Sequence, residues 1–379
     1  MNEAPSRWKR IRKLGAGGQG EVYLAADERA LEVIRQTIKS GFGKSVYGPG
    51  EDPLLQMLDS LEVLRKYFDS TTSDFAALKL LYEPTEKGEE YEKAKQRMRR
   101  EIKALASLDH PNVIKIVDHD PDARWYLSEY FEQGSLHEKH TCFRGNPIGA
   151  VEAFAQLVDG AALLHRSNLI HRDIKPQNIL IRDDRTLVLA DFGLVYFADE
   201  AHTRVSDSFE KVGTSDWMPT WAQGHFKLQD VRPSFDVFAL AKILWAMISG
   251  ERFLRLHYYD KPEFNLVEKF PKNRYVSLVN EHILSKCLVE DEGACLPSAA
   301  ELKQATDDLL RRLRAEEARC CVMCDGGKYV GDSQAVTGQS GRLRLHCDNC
   351  GYTVAFIAYP DRKNPWWVDV LSDKHGILA

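Results

Sequence analysis

His171-Arg172-Asp173-Ile174-Lys175-Pro176-Gln177-Asn178 sets a carboxylate, an ammonium and a carboxamide at short fixed offsets, and the reading of this stretch decides the fold. Asp173 can orient an attacking hydroxyl and accept its proton, Lys175 can balance charge on a migrating phosphoryl group, and Asn178 can offer an amide oxygen to Mg²⁺. Together they imply phosphoryl transfer. The competing reading is a polar turn with His171 satisfied inside a core, and the flanking sequence has to separate the two.

Upstream, residues 11–25 alternate like a strand, break at Gly15-Ala16-Gly17-Gly18-Gln19-Gly20, and resume through Glu21-Val22-Tyr23-Leu24. Glycines let the backbone approach phosphate oxygens, so this reads as a hairpin tip able to cover a triphosphate. The spacing alone is weak evidence, since an unliganded turn fits it and a dinucleotide-binding loop would share it if a helix followed. Here Val22 continues a strand instead. In Phe75-Ala76-Ala77-Leu78-Lys79-Leu80-Leu81 a lysine interrupts an apolar strand, a costly position unless Lys79 grips phosphates and pairs with an acid. Glu101, just ahead of Ile102, Leu105 and Leu108 on the next helix, supplies that acid. Trp125 to Phe131 reads as another strand, the apolar helix from Val151 to Leu164 precedes the catalytic-type stretch, and Asp191-Phe192-Gly193 follows it.

In this order the motifs resemble those of the eukaryotic-type serine/threonine protein kinase family, over residues 8–314. The resemblance implies an α+β, bilobal fold with a small β-rich N-lobe and a large helical C-lobe. It also implies ATP and Mg²⁺, with Lys79 paired to Glu101 on the α and β phosphates, Asn178 and Asp191 on Mg²⁺, Asp173 as catalytic base and Lys175 beside it. Gly15, Gly17 and Gly20 would cover the phosphates, Val22, Ala77 and Leu180 would enclose the adenine, and the backbone of Glu129 and Phe131 would meet its edge. Lys175 follows the serine/threonine pattern, so the implied partner is a protein substrate. Asp236 would anchor the catalytic loop. Ser128 is small where the family is commonly bulky, which predicts an enlarged rear cavity. A phosphate on Thr203, Ser206 or Ser208 could pair with Arg172 and order that segment.

Two departures from the family occur together. Where it closes the activation segment with Ala-Pro-Glu, this chain has Pro219-Thr220-Trp221, and the arginine that pairs with that Glu corresponds to Leu296. Stranding one buried charge costs about 3–5 kcal/mol, whereas replacing both partners by apolar groups can be neutral, so Trp221 is expected to pack near Leu296. Residues 28–73 form an insertion with Leu31, Ile34, Ile38 and then Leu54 to Phe68 at helical spacing. Such a long structured connection either docks a partner or packs on the small lobe.

Five of the eight cysteines fall in the last sixty residues. Cys321-Val322-Met323-Cys324 and Cys347-Asp348-Asn349-Cys350 are paired at the spacing of a tetrahedral Zn²⁺ site, so residues 318–379 resemble a zinc ribbon with Cys321, Cys324, Cys347 and Cys350 as ligands. Iron in the rubredoxin manner is the alternative metal, and Cys320 is the reserve ligand. A ribbon this small should depend on its metal for folding. Arg342, Arg344, Trp366 and Trp367 would suit single-stranded nucleic acid, but interspersed acids favour a structural or protein-docking role.

The net charge of −5 gives no global attraction to nucleic acid or anionic membranes. The start of the sequence lacks the apolar stretch of a signal peptide, and the longest apolar run, Phe235 to Ile248, is short and holds Asp236 and Lys242. No membrane association and a cytoplasmic location are therefore expected. The alternative to an active enzyme is a pseudokinase scaffold or protein-binding module, disfavoured because all the chemical residues are present.

Overall fold

The computed structural model describes residues 7–17, 20–32, 36, 74–82, 88–197, 215–219, 221, 231–318, 321, 324, 327–331, 341–358 and 371–372. It divides into two compact units, Met1–Asp307 and Asp308–Ala379.

The first unit opens with a five-stranded sheet in the order β1-β2-β3-β5-β4, antiparallel throughout. Its strands are β1 (Trp8–Ala16), β2 (Gly20–Asp27), β3 (Phe75–Leu81), β4 (Ile116–His119) and β5 (Trp125–Glu129). The period-2 alternation of β3 sends Ala76, Leu78 and Leu80 into a core with Trp8, Ala25, Trp125 and Leu127. Phe75, Ala77 and Lys79 occupy the opposite face. Helix α1 (Glu89–Ala106) buries Met98 and Ile102 against Leu81, Ala123 and Tyr126. Of the insertion, residues 28–32 and 36 are helical and Leu31 is buried; the remainder lies outside the described residues.

The larger, helical lobe is built on two apolar helices. Helix α2 (Pro147–Arg166) starts at Asn146, whose side chain accepts from the Gly149 N–H, with Pro147 at the first turn where its missing N–H is harmless. Helix α3 (Ser234–Ser249) is buried along its whole length, as expected of a segment apolar on all sides, and ends at Gly250 with φ of 69°. Helix α4 (Ala299–Ala318) is opened by Ser298, which accepts from the Ala300 N–H and donates to Glu301. Among the described residues one helix, α2, is long and apolar enough to cross a membrane, and it is mostly buried in the lobe. Short strands β6 (Leu169–Ile170), β7 (Ile179–Ile181), β8 (Leu187–Leu189) and β9 (Tyr196–Phe197) flank the catalytic-type loop. They pair β6 with β9 and β7 with β8.

The second unit carries a four-stranded antiparallel sheet, β10 (Tyr329–Gly331), β11 (Gly341–Cys347), β12 (Thr353–Ala358) and β13 (Leu371–Ser372), in sequential order.

Candidate functional site

The loop from His171 to Asn178 is held from beneath by one carboxylate. Asp236, in the first turn of α3, accepts hydrogen bonds from the backbone N–H groups of His171 (2.8 Å) and Arg172 (2.9 Å) and from His165 Nε2 (3.0 Å). The Ala299 N–H donates to His165 Nδ1 at 3.0 Å, which assigns the proton to Nε2. Burial alone would raise the Asp236 carboxyl, but the hydrogen bonds it accepts from His165 and from the Arg172 N–H bring it below its usual value. Arg172 adopts φ of 68°, a conformation that this over-determined anchoring sustains. His171 lies against the Phe192 ring at 4.6 Å and bonds through Nε2 to the Ala190 carbonyl, so the histidine of the motif is a core residue that shapes the loop.

Above this anchor, Asp173 is oriented through a single oxygen. Its Oδ2 accepts from Lys175 Nζ (2.8 Å) and Asn178 Nδ2 (2.9 Å). Its Oδ1 is buried and has no hydrogen-bond partner among the described residues. A lone acceptor held beside a cleft can take a hydroxyl proton. A small cleft there is lined by Arg172, Asp173 and Ile174, by Trp217, Met218 and Pro219, and by Phe235, Asp236 and Ala239 of α3. Because Asn178 commits Nδ2 to Asp173, its amide oxygen is the atom left to face a cation.

Lys79, Glu101 and Asp191 meet across the interlobe gap. Lys79 Nζ lies 2.8 Å from Glu101 Oε2 and 3.0 Å from Asp191 Oδ1. Burial pushes the ammonium down, and the charges of Asp191 and Glu101 more than reverse that, leaving the Lys79 pKa well above its usual value. Lys79 in turn holds the Asp191 carboxyl at about 2. Glu101 is fully buried and also accepts from the Tyr126 hydroxyl (2.8 Å) and the Phe192 N–H (3.1 Å). These bonds tie α1 to β5 and to Asp191-Phe192-Gly193. Tyr126 and His165 are site residues that sequence reading missed. The signal for Tyr126 was available in the register, where it sits directly opposite Lys79 across β3 and β5.

Of the loop glycines, Gly20 is required by packing, because a Cβ there would collide with the Leu80 carbonyl of the neighbouring strand. Gly15 and Gly17 face open space, and the Gly17 N–H closes the turn onto the Gly20 carbonyl at 2.9 Å. Val22, Ala77 and Leu180 are all half-buried, on β2, β3 and β7. Glu129 ends β5 and its side chain pairs with Arg182 at 3.0 Å, while Arg182 also stands over the Phe131 ring. Ser128 is buried and pairs across the sheet with Ala77, so two small residues face each other at the rear of the slot. We expect bulky purine analogues to inhibit the protein and Ser128→Met to weaken that inhibition by about tenfold or more, the cost of overpacking a filled space. Unchanged inhibition constants would mean that a neighbour already fills the rear.

The closing segment packs back onto α3. The ring that Trp221 meets is Phe238 on α3, edge-on at 5.2 Å, while the half-buried Leu296 donates its N–H to the Lys286 carbonyl. Thr203, Ser206 and Ser208 lie outside the described residues, and Arg172 stands 6.0 Å from the centre of the Tyr196 ring.

In the second unit the sulfurs of Cys321, Cys324, Cys347 and Cys350 all lie within 4.8 Å of one another. The Cys321–Cys350 and Cys324–Cys347 separations are 3.6 and 3.5 Å. Tetrahedral Zn²⁺ with Zn–S near 2.3 Å requires about 3.8 Å between sulfurs, so the donor set fits. The backbone N–H groups of Asn349 and Cys350 point at Cys347 Sγ, both at 3.4 Å, the arrangement that stabilises a thiolate. Gly327 is the close-approach glycine: a Cβ there would strike the sulfurs of Cys347 and Cys324. His346 is exposed and Cys320 lies outside the described residues. So do Trp366 and Trp367 and the side chains of Arg342 and Arg344.

A β-rich lobe and a helical lobe that meet over Lys79, Glu101, Asp173 and Asp191 define a kinase-like protein with a cysteine-rich module able to bind a metal. The chain belongs to the protein kinase domain family, whose model matches residues 62–306. It is also 30% identical over 211 residues to an Aurora kinase of Eremothecium gossypii. That alignment takes in 53% of this chain and 54% of the other protein, so the chain spans about half the length of the curated relative it matches. The family match begins inside the insertion and leaves out β1 and β2, although β2 pairs with β3 from Gly20–Leu81 to Ala26–Phe75 and β1 pairs with β2.

Proposed function

We propose that the chain is a serine/threonine protein kinase that transfers the γ-phosphate of ATP to protein hydroxyls, with a kinase domain over residues 8–314 and a zinc ribbon over 318–379 that targets or regulates it. The observation that carries this reading is the Asp173 carboxylate, whose Oδ2 is held by Lys175 and Asn178 while its buried Oδ1 has no hydrogen-bond partner among the described residues. Mg²⁺ supplies charge neutralisation between the phosphates, and the Asn178 amide oxygen and Asp191 are the groups that would hold it. Lys79, fixed by Glu101, would grip the α and β phosphates. Val22, Ala77 and Leu180 would enclose the adenine, with the backbone of Glu129 and Phe131 at its edge. Gly15, Gly17 and Gly20 would close over the phosphates. Asp173 would draw the serine or threonine proton as the oxygen attacks the γ-phosphorus and ADP departs, and Lys175 would balance charge on the migrating phosphoryl group.

A cytoplasmic setting accords with four thiols kept reduced for metal. A protein partner is proposed for the ribbon or the 28–73 insertion, ahead of nucleic acid. The test is incubation of the purified chain with γ-labelled ATP and Mg²⁺, beside an Asp191→Ala control. Label on serine or threonine of the chain itself or of generic acceptors, absent from the control, is the expected result. No label with the wild type would sink the assignment in favour of a kinase-like scaffold.

A further inference from the structure

Lys242 plays no part in the machinery described above, yet it is buried at 1% exposure on α3, two turns beyond Asp236. Its Nζ donates to the backbone carbonyl of Asp216 and stands over the Phe238 ring, 5.5 Å from the centroid. Trp221 meets the same ring edge-on. Phe238 and Lys242 are neighbours on one helix face, so together they meet the closing segment at Asp216 and at Trp221. An interior ammonium is costly: burial lowers the Lys242 pKa to about 8, and the Asp216 charge offsets this only in part. An apolar residue would fill this position without that cost, so the Asp216 carbonyl is the feature that calls for a lysine.

The segment so held carries Trp217, Met218 and Pro219, which form the wall of the cleft beside Asp173. The facing wall, the catalytic loop, is fixed to the same helix through Asp236. Helix α3 therefore carries both sides of the acceptor cleft, one through a carboxylate and the other through a lysine. The ion pair that closes this segment in related chains is unavailable to Trp221 and Leu296.

We propose that Lys242 is a positioning residue for the protein acceptor, pinning residues 216–219 so that the Trp217–Pro219 wall stands at a fixed distance from Asp173. This rests on the protein kinase reading of the site. The test compares full-length wild type with Lys242→Met and Lys242→Arg. Methionine removes a charge from the interior, so the fold should survive. Losing a charge-assisted hydrogen bond should lower kcat/KM for dephosphorylated casein by about tenfold, carried by KM, with the Kd of a fluorescent ATP analogue unchanged. Arginine, which keeps a donor, should restore much of the loss. Backbone hydrogen exchange over residues 216–219 should accelerate in the methionine variant, while α2 keeps its protection. Unaltered exchange over 216–219, or a parallel loss of nucleotide affinity, would overturn the proposal. If the wild type transfers no phosphate, the kinase reading fails, and the exchange measurement still decides the role of Lys242.

Discussion

Asp173→Asn lowers phosphoryl transfer to protein acceptors by about 10²–10⁴-fold, the range that a positioned general base contributes, while nucleotide affinity stays close to that of the wild type. The size follows from how the carboxylate is divided. Oδ2 is committed to Lys175 and Asn178, so an asparagine oriented in the same way keeps its oxygen on those two donors and turns an N–H₂ toward the acceptor. A group that was a lone acceptor becomes a donor. The substrate hydroxyl then meets a hydrogen where it needs a base, and Lys79, Glu101 and Asp191 are untouched. Single-turnover transfer from labelled ATP, with nucleotide Kd measured in parallel, checks both halves. A variant retaining more than a tenth of the wild-type rate would show that Asp173 orients without accepting the proton, and equal losses in rate and affinity would point to a collapsed loop. The comparison with Asp191→Ala is informative, because that change removes the carboxylate Lys79 holds at about 2 and so should weaken metal-dependent nucleotide binding as well.

The residues that carry chemistry were legible because their chemistry forces them into contradictory surroundings. Lys79 reads as an error in an apolar strand until an acid is found, and Glu101 lies on the next helix with the correct face inward. The cysteine pairs read at once, since thiolates at that spacing have few other uses. Residues that act by supporting others were less legible, and Asp236 was anticipated only through the family resemblance. His165 looks like one polar position on the apolar helix α2, and its role exists only because Ala299, 134 residues later, fixes its tautomer while it faces Asp236. Lys242 was visible in the sequence only as a charge interrupting an apolar run; which carbonyl it meets depends on a turn that packs back onto α3. Trp221 shows the same limit. Its apolar character predicts burial, but hydrophobic packing is not directional, so the sequence did not single out the Phe238 ring that it meets. The glycine loop is an intermediate case: Gly20 is dictated by strand packing as well as by any phosphate, so its presence alone could not separate the two causes.

Replacing Cys347 by serine removes the metal and with it the fold of the cysteine-rich unit. Among the described residues one buried cluster of that unit consists of Cys321, Tyr329 and Cys347, with Cys324 and Tyr352 packed against it, so the metal ligands are themselves part of its packing. Structural zinc contributes about 10–16 kcal/mol to small domains of this kind. Cys347 is the ligand whose loss is felt most, because its sulfur also receives the Asn349 and Cys350 N–H groups that shape the turn. The expected outcome is a single Zn²⁺ per wild-type chain and almost none in Cys347→Ser, with loss of tyrosine near-UV signal from Tyr329 and Tyr352. Gly327→Ala should reproduce this with all four thiols present, since its methyl would occupy the space where Cys324 and Cys347 approach. Elemental analysis after dialysis against a weak chelator, paired with circular dichroism, decides the matter. If the serine variant keeps both its zinc and its tyrosine signal, the metal is held by other groups and the four sulfurs are clustered for a different reason. If zinc departs while the tyrosine signal stays, packing is sufficient and the metal serves binding in place of folding.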